Sequence, residues 1–199
     1  MDVIEAMETC SAARYLKPDP VPQDLIERVI YAATRASSPG NSQAWDFIVV
    51  RDRELKQKIR DLIAPRFQAM RASAPAGGQV TNKMLAGATH LADSLHEVPA
   101  IILVCGPVAY PPNAPREQFV WSALYPAAQN LIVAARSLGL GTTFTTFHMF
   151  IESELRDLLG IPGEVRFGVM IPIGWPRDEF VKVKRKPIAK VIHWDRWSD

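Results

Sequence analysis

The sequence predicts one domain, spanning residues 1–199, that mixes α-helices with β-strands. Three observations carry this. Apolar residues recur at helical spacing in several separate stretches, the longest over residues 119–138. Between them lie short continuous apolar runs of strand length, FIVV at 47–50 and the run at 98–105. No internal repeat or linker-like stretch divides the 199 residues, a length that a single sizeable core can serve.

Taken in order, Val3, Ile4 and Met7 predict a short first helix with Asp2 placed to cap it. Residues 22–35 predict a second: Leu25, Ile26, Val29, Ile30 and Ala33 share a face, and Pro22 suits a first turn. The uncharged loop SSPGNSQAW at 37–45 leads into a buried strand at 47–50, followed by a short helix at 54–62. Residues 64–81, rich in Pro, Gly and small side chains, predict a mobile excursion or lid. Met84, Leu85, Ala88, Leu91, Ala92 and Leu95 form another helical stripe, and 98–105 a central strand.

The stripe from Phe119 to Leu138 is apolar around much of its circumference and predicts the core helix. Pro126 inside it predicts a kink or break, and Gly139 its end. Residues 142–146 read as extended, 153–159 as a short helix closed by Gly160, and 166–173 as a strand. The tail after Trp175 lacks core periodicity yet keeps Ile188, Val191, Ile192, Trp194 and Trp197. So apolar a tail needs somewhere to dock, such as a second subunit.

Composition narrows the function. A formal charge of +2 gives no reason to expect nucleic acid or an acidic membrane as partner. Two cysteines, Cys10 and Cys105, are too few for a disulfide framework or a zinc site and fit a reducing cytoplasm. The opening MDVIEAMETC lacks a signal peptide's basic start and apolar core, and no apolar run reaches membrane-spanning length. The four histidines show no metal-ligand spacing, so no metal is expected. GLGTTF at 139–144 begins like a dinucleotide fingerprint but has Phe144 for its third glycine and follows a helix, so it is not one.

Three segments could bind. The loop 37–43 offers hydroxyl, amide and backbone groups suited to a flat, polar-edged ligand. TTFTTF at 142–147 offers the same on an extended backbone. Lys182-Val183-Lys184-Arg185-Lys186 could hold a phosphate by charge and fork geometry.

Six motifs in order resemble those of the nitroreductase-like FMN-dependent oxidoreductases, nearly end to end. They are Arg14-Tyr15-Leu16-Lys17-Pro18-Asp19-Pro20-Val21; the loop with Ala36, Ser38, Asn41, Gln43, Trp45 and Phe47; and Ala128-Gln129-Asn130-Leu131 running into Leu138-Gly139-Leu140-Gly141. Leu159-Gly160-Ile161-Pro162, Ile173-Gly174-Trp175-Pro176 and the basic run before Pro187 complete the set.

The resemblance implies an α+β fold with a central, mostly antiparallel sheet flanked by helices. It also implies a homodimer with exchanged C-terminal arms, here about 176–199, and FMN sites at the interface. On that reading Ser37, Ser38, Pro39, Asn41 and Gln43 line the flavin held mainly by the other subunit. Arg14 lies by the flavin pyrimidine or ribityl-phosphate, where a cation favours the anionic reduced ring. Backbone N–H groups of Thr145 and Thr146 meet N5, and Lys184, Arg185 and Lys186 hold the phosphate. The chain departs from the pattern in having Cys10-Ser11-Ala12 where many members carry Arg-Arg-Ser. Each lost charged hydrogen bond to phosphate costs about 1.5–3 kcal/mol.

The function implied is an FMN-dependent NAD(P)H oxidoreductase. It passes hydride through flavin N5 in a ping-pong cycle to nitroaromatic, quinone or similar flat acceptors, with NADH or NADPH as donor and no side chain required as nucleophile. The alternative is a flavin-binding or sequestering protein on the same scaffold with little turnover.

Overall fold

The structure, a computed structural model, describes residues 1–73 and 82–197. Helix α1 (Val3–Thr9) starts at Asp2, whose carboxylate accepts the Ile4 N–H at 3.3 Å. Then come α2 (Gln23–Ala33), a 3₁₀ turn (Pro39–Asn41), β1 (Asp46–Val50), α3 (Arg53–Ser73), α4 (Asn82–Asp93) and β2 (Ala100–Pro107). The chain continues through α5 (Gln118–Ser137), β3 (Gly141–Thr142), a 3₁₀ turn (Phe147–Phe150), α6 (Glu152–Leu159), β4 (Val165–Gly174) and a last 3₁₀ turn (Ile188–Lys190). Among the described residues no helix is long and apolar enough to cross a membrane.

The four strands form one sheet in the order β1-β2-β4-β3, every strand pair antiparallel, with an isolated parallel bridge between Ala12 and Thr142. The fold is α+β. Side chains alternate across β2, so Ile101, Leu103 and Cys105 enter one core with α3, α4 and α6. Ala100, Ile102 and Val104 enter the other, with α2 and α5. Helices therefore cover both faces, which is why the central strands read as unbroken apolar runs rather than as alternation. Among the described residues, β1 is paired on one side only.

A β-bulge interrupts the β2–β4 register, Val104 facing Val169 but Cys105 facing Phe167. The extra residue, Gly168, turns Phe167 into the α3/α6 core while Val169 stays in the α2/α5 core. A Cβ at Gly168 would lie 2.9 Å from Leu124 Cβ, so only glycine fits this close approach.

Two breaks expected at prolines do not occur. Residues 64–73, expected to leave regular structure, instead continue α3 through Pro65 to Ser73. Ile59, Ile63 and Phe67 are buried one turn apart, and Phe67 meets Phe147 and Phe150 edge-on. Burial of such side chains, about 1.5–3 kcal/mol each, outweighs the roughly 3 kcal/mol cost of an interior proline. The rest of the expected lid, residues 74–81, lies outside the described residues. Likewise α5 runs unbroken past Pro126, because Val120, Ala123, Leu124, Ala127, Ala128 and Leu131 are all buried along it. Gly139, at φ 78°, closes α5 as expected: its N–H reaches Arg136 O at 3.1 Å, and the Leu140 N–H reaches Ala135 O at 2.9 Å.

Candidate functional site

The segment 11–15 runs beside the sheet edge. The Ala13 N–H donates to Thr142 O at 2.9 Å, and Thr143 Oγ1 donates to Ala13 O at 2.7 Å. This pins Arg14, half-buried, into a cleft of about 570 Å³ between α4 and the chain after β4. Ser11, Arg14 and Lys83 supply its polar donors, and Ala13, Met84 and Phe180 its apolar wall. Asp178 and Glu179 stand on the same rim. Gly87 opens room beside Arg14, since a Cβ there would lie 3.0 Å from Arg14 Cδ. Lys83 is missing from the sequence-derived set. It lies one turn before Gly87 on α4, and a single lysine ahead of an apolar stripe gives no motif to find it by.

The loop 37–43 holds a fixed shape. Gly40, Asn41 and Gln43 all have positive φ, at 57°, 51° and 48°. Ser38 organises them: its carbonyl accepts the Asn41 N–H and its Oγ the Gln43 N–H, each at 3.0 Å. Two close approaches seat the loop on the end of β2. A Cβ at Gly40 would fall 2.3 Å from Tyr110 Cε2, and one at Gly106 would fall 2.2 Å from Ala44 O. Ser37, Asn41 and Gln43 are exposed, and Ser38 and Pro39 half-buried. None of the loop lines the Arg14 cleft of this chain.

Thr145 and Thr146 part company. Thr145 is buried and its N–H donates to Met170 O at 3.1 Å, so that group is already committed. Thr146 is exposed and borders a second cleft, of about 480 Å³, with Trp121, Tyr125 and His148. Lys184, Arg185 and Lys186 are exposed on the C-terminal segment and do not line the Arg14 cleft. Lys182, next to them, is held by Glu8 at 2.6 Å, and the Val183 N–H donates to Glu8 O at 2.8 Å. Among the described residues no group of three or more His, Cys, Asp or Glu is placed to hold a metal ion.

The donors fit FMN chemically. A dianionic phosphate and an electron-rich ring edge match Arg14, Lys83 and the Ser11 hydroxyl, while the apolar wall and the space over Gly87 suit a flat ring.

Comparison with known proteins identifies the family. The family model described as "Nitroreductase family" matches residues 9–175. An Archaeoglobus fulgidus protein that carries an unproven assignment as an NADH dehydrogenase/NAD(P)H nitroreductase is 30% identical over 177 residues, covering 86% of this chain and 85% of its own length. Mouse iodotyrosine deiodinase 1 is 28% identical over 193 residues, 94% of this chain but 67% of the mouse protein. A crystal structure of oxidised iodotyrosine deiodinase bound to FMN and 3-iodo-L-tyrosine superposes with a TM-score of 0.83 at 21% identity, covering 98% of this chain and 100% of that one. A matching model over most of the chain, the same fold and the motif order from Arg14 to Pro187 lead to one conclusion: this chain belongs to the Nitroreductase family.

Proposed function

We propose that the protein is an FMN-dependent NAD(P)H oxidoreductase of the nitroreductase type, a cytoplasmic homodimer that reduces flat acceptors such as nitroaromatics or quinones. The observation that carries this is the cleft joining Arg14, Lys83 and Ser11 to an apolar wall, at the sheet edge that leads on to Thr146. When bound, FMN supplies two-electron transfer between nicotinamide and acceptor. Arg14 and Lys83 bind and orient it and stabilise negative charge at its pyrimidine edge. The exposed Thr146 presents its backbone toward the ring, Thr145 serving as its anchor. Lys184, Arg185 and Lys186 neutralise phosphate, taking the place of the cations that Cys10-Ser11-Ala12 does not provide.

A second copy of the chain completes this site. The loop 37–43 and the basic run are both shaped or charged for a ligand, yet neither lines the Arg14 cleft of its own protomer. The arm leaves Trp194 83% and Trp197 82% exposed, with Ile188 and Val191 also exposed. The edge of β1, beside an apolar groove lined by Ile26, Ile30, Val49 and Leu55, offers a receiving surface, on which Glu27 and Asp52 stand with Arg51. Truncation after residue 175 is expected to give monomers that do not retain flavin.

The test is an absorption spectrum of purified protein after FMN loading and desalting, then anaerobic addition of NADH or NADPH. A retained flavin band that bleaches supports the oxidoreductase. A band that stays unbleached with either donor favours a flavin-sequestering protein, and no retained band rejects both.

A further inference from the structure

The turn after β3 buries one polar side chain that the fold does not use. His148 is 3% exposed, and its Nδ1 is buried with no hydrogen-bond partner. An N–H left without an acceptor is rarer in buried sites than an under-used acceptor, so the neutral ring keeps its proton on Nε2. Burial lowers the His148 pKa, against a weaker upward pull from Glu152, and keeps the ring neutral near pH 7. His148 thus lines the cleft it shares with Thr146 as a neutral ring with one hydrogen bond to donate, from Nε2.

The rest of that cleft repeats the theme. Trp121 and Tyr125 stack with their centroids 5.9 Å apart and 21° between planes, giving a flat aromatic wall. The bulge at Gly168 turns Phe167 inward, its ring 5.9 Å from that of His148, and leaves Arg166 on the cleft rim. The two arginines differ. Arg156 is engaged by the carbonyls of Pro162 and Val165, by Glu152 at 3.1 Å and by the Phe167 ring. Arg166 donates from Nη1 to Gly163 O at 3.1 Å, and its carboxylate neighbour, Glu117, stands 3.7 Å from Nε. That is beyond hydrogen-bond length, and so open a pair contributes little. A ligand carboxylate competes well with Glu117 for this fork. Glu117 and Glu152 on the same rim disfavour a second negative charge.

We propose that this cleft binds a flat aromatic monocarboxylate, with the ring on Trp121 and Tyr125 and the carboxylate held by His148 and Arg166. Because the cleft adjoins Thr146, such a compound is the preferred electron acceptor. That last step rests on the oxidoreductase reading; the binding itself does not.

The experiment compares 4-nitrobenzoate with nitrobenzene by isothermal titration to the full chain, with and without added FMN. The wild type is expected to bind the carboxylate about tenfold more tightly, in keeping with a charge-assisted bidentate contact. Arg166→Gln and His148→Leu are each expected to reduce that ratio to about threefold or less. His148→Leu removes an unpartnered buried polar atom and should fold at least as well as wild type, so it stands even where Arg166→Gln weakens the fold. Equal affinity of the wild type for both probes overturns the proposal, as does a preference that survives both substitutions. Flavin retention is read on the same samples. A preference without retained flavin keeps the ligand site and rejects the oxidoreductase; retained flavin without a preference does the reverse.

Discussion

Thr145 and Met170 exchange both backbone hydrogen bonds at 3.1 Å, and Thr145 Oγ1 adds a third, at 2.8 Å, to the same Met170 carbonyl. This fastening locks Thr145 inward and turns Thr146 outward, so one residue of the pair is structural and its neighbour borders the second cleft. Thr145→Val keeps the shape and both backbone bonds but loses the hydroxyl contact. It is expected to destabilise the fold by about 0.5–1.5 kcal/mol and to leave flavin retention unchanged. Thermal melts alongside absorption spectra check this, and a loss of flavin without a loss of stability would contradict the division of roles.

Gly87 and Arg14 set the width of the cleft between α4 and the chain after β4. A Cβ at Gly87 meets Arg14 Cδ at 3.0 Å, a contact that the flexible arginine can relieve by a small shift. Gly87→Ala is therefore expected to raise thermal stability, alanine being better than glycine in a helix by about 1 kcal/mol, with little change in FMN affinity. Gly87→Leu pushes Arg14 aside and fills the cleft, weakening FMN by about tenfold or more. Flavin fluorescence titrations of both variants provide the measurement. Equal affinities would show that the flavin does not use this space.

How much of this was legible in the sequence depended on whether a local signal had a single cause. The helical stripes, the Asp2 cap, Gly139 and Gly160 as terminators and the apolar strands all appear where periodicity and turn chemistry put them. The loop at 37–43 was marked by its composition, and its shape rests on positive φ at Gly40, Asn41 and Gln43, which glycine and asparagine tolerate and glutamine does not advertise. Pro65 and Pro126 misled because the burial that overrides them is tertiary: Phe67 finds Phe147, and α5 lies against the sheet. Lys83 and His148 were invisible for the same reason. Each is a single residue whose meaning comes from neighbours far away in sequence, Arg14 for one and Phe167 with Arg166 for the other. The bulge at Gly168, which builds the second cleft, leaves no mark in a run that reads simply as strand.

Cys105 is expected to be inert in the folded protein. Its Sγ faces Asp46 O at 3.6 Å inside the α3/α6 core, and burial raises its pKa to about 11, with Asp46 adding to the shift. Almost no thiolate is present at neutral pH, and the thiolate is the nucleophile. Iodoacetamide should label Cys105 at the rate of unfolding, measured by mass spectrometry of the peptide across a denaturant series. Fast labelling of native protein would mean that the β1–β2 edge opens far more readily than its packing allows.

His148 links stability to pH in one direction. Burial depresses its pKa, while Glu152 acts in the opposite sense; Glu117, Arg156 and Arg166 stand on the same cleft. The unfolded chain takes up this proton near the ordinary 6.5, and the folded protein does so only at lower pH. Between those values the unfolded chain binds more protons, so stability falls as pH drops below about 6.5 and levels off beneath the folded value. Above 6.5 the residue contributes no pH dependence. His148→Leu should remove this part of the acid slope, so that its melting temperature exceeds that of wild type by more at pH 5 than at pH 7.5. Melting curves that run parallel over that range would mean that the ring titrates in the fold as it does in the open chain. They would also remove the case for a neutral donor on the cleft wall.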